Sequence, residues 1–394
     1  MEANLVTGEA LTTEHTEWDE AWTHWDSRRD DDFIEQVNRG MQGKNVGLDN
    51  GSKLLSRFIH GTHKARYYLV GADSGIGKTT LADFMYIYKL WLAARAANKK
   101  IYIKYFSFEL GRVDKKAKWV CIWIKHKFHV DLTTDYIMGR VSGKTMTPEH
   151  HRLVIQAYAV VEQMMLDIEM FDVSLSATGI LTRMLKHYAQ IGTIIRDAPV
   201  EGQKEGTIVG FKPADPEAIT VCIVDHMALI QEEAGAVTTK QSIDRASMYF
   251  VYMRNIFHTT IIAIQQFSTG LQSAARENSK SKEDHDIAPQ RLDFGDSKYT
   301  FRDADYVFAL ISPRKFNRKT YFGYSLEGAV ATYFVALHLI KNRYGPDGRM
   351  IPLFANFLSG IFYDMPSATD YAALNFCEQE AVRLDSVSRE FTNY

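Results

Sequence analysis

Lys78 and Thr79 close a glycine-containing turn with the spacing Ala72-x4-Gly77-Lys78-Thr79, set between the apolar run YYLV and the stretch LADFM. A loop that wraps a triphosphate must aim several backbone N–H groups inward, which favours residues with no side chain in the way, here Gly75 and Gly77. Lys78 can then reach the β- and γ-phosphates, and the Thr79 hydroxyl can ligate Mg2+. A helix opening at this point directs its positive end at the anion. The loop departs from the usual pattern at Ala72, where glycine is common, although Gly71 stands just before it. It also contains Asp73, an acid that an anion site tolerates only if it points away. The expected cofactors are ATP and Mg2+, held by Ala72, Ser74, Gly75, Ile76, Gly77, Lys78, Thr79 and Thr80. A glycine-rich turn that matches by accident is the alternative.

Hydrolysis asks for two carboxylates, one to hold the hydrated metal and one to orient the attacking water. Asp225 follows the apolar run VCIV, and Glu109 ends YFSFE, so both stand where strand ends would meet a phosphate loop. Taken alone, an aspartate after a buried strand is as often a cap or turn residue. Two such acids in a chain with this loop are a stronger signal than either one.

These residues need a scaffold to bring them together. Past the loop, β-rich runs alternate with amphipathic stretches: KKIYIKYFSFEL (99–110), DKKAKWVCIWIKHKF (114–128), TPEHHRLVIQAYAVVEQMML (147–166), DIEMFDV, ATGILTRMLKHYAQ, ITVCIVD (219–225), SIDRASMYFVYMRNIF, TTIIAIQQF, DADYVFALIS and TYFVALHLIKNR. IPLFANFLSGIFYD reads as a closing hairpin. Thr147 as N-cap and Pro148 at the first helical position mark one helix start. Nearly all-apolar strands between amphipathic helices predict an α/β fold, a mostly parallel sheet with helices on both faces. No second domain of similar size is expected.

Composition sets outer limits. With 394 residues, 46% of them hydrophobic, the chain can bury a large core. No apolar run approaches the ~18 residues of a membrane span, and the acidic start is no signal peptide, so no membrane partner is expected. Cys121, Cys222 and Cys377 are odd in number and far apart, which fits reduced thiols and a cytoplasmic location, that of the host if the chain is viral. His150 and His151 are adjacent and diverge on a helix, so they make no metal pair. Residues 1–40 hold eleven acidic and three basic residues, a balance of −8, which leaves +6 on the rest of a chain of net charge −2. A mildly basic body with an acidic arm is compatible with nucleic acid and equally with an ordinary solvated surface.

The order of segments resembles the ATPase domain of DnaB-type replicative helicases, a branch of the RecA-like P-loop enzymes. The likeness starts near NVGLDNGSKLLSRF and runs through the phosphate loop and FSFEL, similar to that family's F-S-L-E. HVDLTTDYIMGRVSGKTMTPEHHRL, IVDHMALI, AIQQFS, DSKYTFRDADYVFAL and LIKNRYGPDG follow in the family's order, so that residues 45–364 take part. The resemblance implies that Glu109 activates water, Asp225 holds the metal's water shell, and Gln266 senses the γ-phosphate. It further implies that Lys341 and Arg343 reach into a neighbouring subunit's site, which makes the chain part of a ring, most often a hexamer. Without the family, KNR after a strand is a solvated basic end. Implied partners are single-stranded DNA, further copies of the chain, a primase and a helicase loader, with 5′→3′ translocation.

DNA contacts would fall on two loops. EEAGAVTTKQSIDR (232–245) carries Lys240 and Arg245; the long polar segment 268–298 carries Arg276, Lys280, Lys282 and Arg291, all able to meet phosphates. The second loop also holds six acids and no aromatic before Phe294, so base stacking is not its evident mode. It departs from the family at Gly295, where an arginine is usual.

The expected organisation is an acidic arm and linker helix over 1–44, the ATPase domain over 45–365 and a tail over 366–394. DDFIEQVNRGMQ (31–42) puts Phe33, Ile34, Val37 and Met41 near one face, which suits a linker helix or a frayed amphipathic arm. Residues 192–218 read as an inserted hairpin or loop, and YAALNF in the tail as a partner or packing helix. An ATPase core with so short an arm suits a compact viral replication system, which suggests a bacteriophage source. Two other readings stay open: a RecA- or RadA-like recombination ATPase, and a nucleotide-dependent scaffold without unwinding activity.

Overall fold

The computed structural model of the protein describes residues 27–199, 205–233, 238–268, 284–295 and 298–391. They fall into two compact units that part between Val46 and Gly47. In the first, a helix over Ser27–Met41 exposes Phe33, Ile34, Val37 and Met41, the apolar residues of its sequence pattern.

The second unit is built on thirteen strands among the described residues: β1 (Tyr67–Ala72), β2 (Ile101–Ser107), β3 (Ile168–Phe171), β4 (Gly192–Arg196), β5 (Ile208–Pro213), β6 (Ile219–Asp225), β7 (Thr260–Gln266), β8 (Tyr306–Ile311), β9 (Thr320–Tyr321), β10 (Tyr324–Ser325), β11 (Phe334–Asn342), β12 (Arg349–Asn356) and β13 (Ile361–Asp364). Nine of them form one sheet in the order β13-β12-β11-β8-β1-β7-β6-β2-β3. β8, β1, β7, β6, β2 and β3 run parallel, and β11 to β13 add an antiparallel edge. Every residue of β1, β6 and β8 is buried, because helices cover both faces and leave no solvent side on which a polar residue could alternate. The expected α/β sheet is present.

Local signals place the helices. The Thr147 hydroxyl accepts from the His150 N–H at 3.1 Å, and Pro148 follows at the first helical position of Pro148–Met165. Ser176 caps Ala177–Ile191 and Thr238 caps Thr239–Phe257 in the same way. The segment from 192 contains an antiparallel pair, β4 with β5, separate from the main sheet. Phe211 of β5 anchors it against Tyr188 and Phe257, at ring separations of 5.7 and 5.3 Å.

The last residues form a helix, Tyr371–Phe391, that packs on the core through Ala381 and Leu384, both fully buried. Glu378 accepts the backbone N–H groups of Ala329 and Val330 at 2.8 Å each, and Arg383 pairs with the buried Asp131. Asp131 also accepts from Lys125 at 2.7 Å and from Asn356 and Ser359 at 2.6 Å each. Burial alone would raise its carboxyl; the hydrogen bonds from Lys125, Ser359, Arg383 and Asn356 win and hold it below the ordinary range. Asp131→Ala leaves the buried Lys125 only the more distant Glu380, 3.6 Å away, and breaks Arg383's tie to the core, so it is expected to cost about 3–5 kcal/mol in urea unfolding at neutral pH. Because the folded carboxyl titrates low, that contribution is present above the ordinary carboxylate range and fades as pH falls through the lowered value. The gap between variant and natural chain should therefore narrow only in acid. Among the described residues no helix is long and apolar enough to cross a membrane.

Candidate active site

The parallel strands bring the chemistry to their shared C-terminal end. Ala72 ends β1 opposite Gln266 at the end of β7, Asp225 ends β6 opposite Ser107 at the end of β2, and Glu109 lies two residues beyond Ser107. The chain after Ala72 turns through Gly75 and Gly77, with φ of 72° and 96°, into a helix that opens at Lys78. Both values lie in the left-handed region, which explains glycine at these two places. At Gly77 the chain also passes so close to Phe357 that a Cβ would stand 2.6 Å from its ring.

Lys78 and Thr79 are largely buried, at 6% and 9% exposure, while Ser74 and Gly75 face solvent. The Thr79 hydroxyl donates to Asp225 Oδ1 at 3.1 Å. Asp225 is fully buried and Glu109 is exposed, so the two expected acids occupy opposite environments at neighbouring strand ends. The Asp225–His226 peptide is cis, and His226 sits within reach of these charges. Burial, then the Lys78 charge, lower the imidazole below its ordinary range against the pull of Asp225 and Glu109.

A paired hydroxyl and carboxylate, one lysine, an exposed second acid and two left-handed glycines form a donor set that fits a nucleotide triphosphate with Mg2+. Thr79 and Asp225 are the residues suited to hold the metal; Lys78 and the turn from Ala72 to Thr80 are suited to the phosphates. Beside the loop a cleft of about 330 Å3 is walled by Gly75, Ile76, Arg314, Lys315, Val335 and Phe357. Lys315 donates to the Ser74 carbonyl at 3.1 Å, and Phe357 is 40% exposed. Phe357 and Lys315 escaped the sequence reading, since a lone aromatic after a strand carries no signal by itself. A larger cleft of about 720 Å3 along the edge strand β3 contains none of the residues named from the sequence.

Lys341 and Arg343 lie at the opposite end of the strands. Lys341 pairs in register with Val307 and Asn342 with Tyr306, at the start of β8, whereas the phosphate loop leaves the far end of β1. Lys341 donates to the carbonyls of Phe301 and Arg302 at 2.8 and 2.7 Å. Burial, then the charge of Arg343, push its ammonium down to about 8. Arg343 pairs with the buried Asp305 at 3.1 Å. The fold does not bring this pair to the phosphate loop of its own chain.

Of the residues named for DNA, Arg276, Lys280 and Lys282 lie outside the described residues. Lys240 and Arg291 are exposed, the latter with its guanidinium 5.4 Å from the centre of the Phe301 ring. Arg245 is exposed too and pairs with Glu233, whose carboxylate also accepts the Thr178 N–H at 2.6 Å. Phe294 is core: its ring packs 5.2 Å from that of Phe267, and a Cβ on Gly71 would fall 2.4 Å from it. Gly295 has a physical reason as well, since a Cβ there would come within 2.9 Å of Ser268 Oγ. The Ser268 N–H donates to the Asp293 carbonyl at 3.0 Å, so the two ends of the long loop are fastened beside β1 and β7.

The strand that leads into the glycine turn, separated by β7 from the strand that ends in Asp225 within a mainly parallel sheet, defines a RecA-like α/β fold. Comparison with solved structures agrees. A DnaB-like replicative helicase, described together with its interactions with primase, superposes with a TM-score of 0.62 at 16% identity, over 84% of this chain and 68% of that one. The ATPase domain of G40P superposes with a TM-score of 0.60, also at 16% identity, over 85% of this chain and 98% of that one. No family model and no curated protein matches the sequence.

Proposed function

We propose that the protein is an ATP-driven DNA helicase of the DnaB type, acting as a hexameric ring on single-stranded DNA. The observation that carries the reading is the Thr79–Asp225 hydrogen bond beneath the glycine turn, with Glu109 at the adjoining strand end. In this reading Lys78 neutralises phosphate charge, Thr79 and Asp225 hold Mg2+, and Glu109 orients and deprotonates the attacking water. Bound ATP supplies the phosphoanhydride bond whose cleavage drives movement. Gln266, the register partner of Ala72, would respond to the γ-phosphate, and the chain beyond it leads through Ser268 into the long loop. Lys240, Arg245 and Arg291, with Arg276, Lys280 and Lys282, would contact DNA phosphates without regard to sequence. Arg245 would exchange Glu233 for a phosphate to do so. The ATPase domain is taken as 45–365, with 1–44 as arm and linker and 366–394 as a tail. A primase and a loader are the proposed protein partners, 5′→3′ the proposed direction, and a phage-infected cell's cytoplasm the proposed setting.

The test is forked-duplex unwinding with ATP and Mg2+, alongside single-strand stimulation of hydrolysis and the mass of the assembly. Closed rings that unwind support the reading. Filaments on single strands without unwinding would replace it with a recombination ATPase, and unstimulated turnover with a scaffold. The cleft beside the loop is the proposed seat of the nucleotide base, stacked on Phe357. Phe357→Ala is expected to weaken ATP binding roughly tenfold, in line with about 1–3 kcal/mol for a stacked base. Equal affinities in a fluorescence titration would remove the base from this cleft.

A further inference from the structure

Behind the Thr79–Asp225 pair lies a group of charges that the function above does not use. Asp83, Tyr105, Lys115 and Trp119 are all buried, as is Asp225, with no exposed side-chain surface on either the lysine or its two acids. They come from four elements. Asp83 stands one turn past Thr79, where the helix that opens at Lys78 widens into a π-helical stretch over Asp83–Lys89. Tyr105 points inward from β2, Lys115 and Trp119 belong to the helix Arg112–Phe128, and Asp225 ends β6.

Lys115 Nζ lies 3.1 Å from Asp83 Oδ2, 3.2 Å from Asp83 Oδ1 and 3.4 Å from Asp225 Oδ2, and it also donates to the Tyr105 hydroxyl. Tyr105 has one proton to give, and its hydroxyl lies 3.1 Å from Asp225 Oδ2 and 3.4 Å from Asp83 Oδ1. The shorter contact makes Asp225 its better acceptor. Trp119 Nε1 donates to Asp83 Oδ1 at 3.3 Å. The two oxygens of Asp225 are therefore divided: Oδ2 is engaged from behind by Tyr105 and Lys115, and Oδ1 faces Thr79.

Buried ion pairs add little net stability compared with apolar residues of the same volume, so stability is a poor reason to place three charges here. Orientation is a better one. A carboxylate at a strand end can turn about its last torsion, and the engagement of Oδ2 stops it. Asp83 balances Lys115, so Asp225 gains a fixed orientation without an excess positive charge beside a cation site. We propose that Lys115, Tyr105 and Asp83 are positioning residues that hold Asp225 turned toward Thr79 and so set the Mg2+ requirement of the nucleotide site. This rests on the reading of Thr79 and Asp225 as metal-holding residues.

The charge-balanced double variant Asp83→Leu/Lys115→Met removes one negative and one positive charge, which leaves the local sum unchanged and tests orientation alone. Tyr105→Phe makes a smaller change should the double variant fail to fold. Each full-length chain is melted without nucleotide. It is then titrated with a fluorescent non-hydrolysable ATP analogue at a series of Mg2+ concentrations, including none. The expected result is Mg2+-free affinity close to that of the natural chain, with the half-saturating Mg2+ raised about 10- to 100-fold in the double variant, as for other groups that orient a metal ligand, and less in Tyr105→Phe. A folded double variant with natural Mg2+ dependence overturns the proposal, as does Tyr105→Phe with natural dependence if the double variant does not fold. An affinity loss equal with and without Mg2+ also overturns it, since that marks a purely structural cluster. A natural chain that binds the analogue with no Mg2+ dependence overturns the underlying metal site and the cluster's role together.

Discussion

Glu109→Gln is expected to lower ATP turnover by about 10²- to 10⁴-fold, the usual contribution of a positioned general base. Nucleotide affinity should change little, because the phosphates and metal are assigned to Lys78, Thr79 and Asp225. The environments of the two acids fit the proposed division of labour. Asp225 is buried and hydrogen-bonded to Thr79, which suits a fixed group beside a metal; Glu109 is exposed past the end of β2, where water can reach it. Single-turnover hydrolysis and equilibrium binding, measured side by side on the same variant, check this. Turnover at the natural rate would remove Glu109 from the chemistry and turn attention to His226, a further titratable side chain in the same neighbourhood.

Arg343→Ala is expected to lower turnover by about 10³- to 10⁵-fold, the range for an arginine supplied to a phosphoryl-transfer site. The fold should survive, because Asp305 keeps Arg254, whose guanidinium lies 2.9 Å from each of its oxygens, and the Tyr67 N–H at 2.9 Å. Because Arg343 lies across the sheet from its own glycine turn, the proposed role can be filled only at another chain's site. Mixing Arg343→Ala chains with Glu109→Gln chains should then restore activity to two inactive proteins. A site is complete where the first kind supplies Glu109 and the second supplies Arg343, about one head-to-tail interface in four in an equal mixture. The check is turnover after subunit exchange. Mixed assemblies that stay inactive would exclude a trans-acting arginine, and so would an Arg343→Ala chain that hydrolyses ATP alone at the natural rate.

Much of the site was legible because its residues are short-range signals. The glycine turn with Lys78 and Thr79 is written in consecutive residues, and Asp225 and Glu109 are each marked by the apolar strand that precedes them. Thr147 and Pro148 announced a helix for the same reason: a cap is satisfied within one turn of chain. The segment from 192 also read as an insertion with β-like runs, since two such runs around a polar turn pair locally.

What stayed hidden depends on contacts between distant parts of the chain. Lys115 looked like one more charge on an amphipathic helix, yet it is buried against acids 32 residues before it and 110 residues after it. Phe294 read as the first aromatic of a DNA-facing loop and is instead core against β1, because that packing needs Gly71, far back in the sequence. The tail helix carried no sign of where it docks, since its clamp, Arg383 on Asp131, joins residues 252 apart.

By itself the sequence determined the α/β class, the glycine turn before Lys78 and the two acids near strand ends, since periodicity, glycine placement and strand ends act over a few residues. Only the tertiary structure decided that β7 separates β1 from β6, that Thr79 meets Asp225, that Lys341 and Arg343 lie across the sheet from the glycine turn, and that a buried lysine stands behind Asp225. Strand order and side-chain partnership arise from burying apolar faces together, and that free energy belongs to the assembled sheet and helices rather than to any segment of the chain.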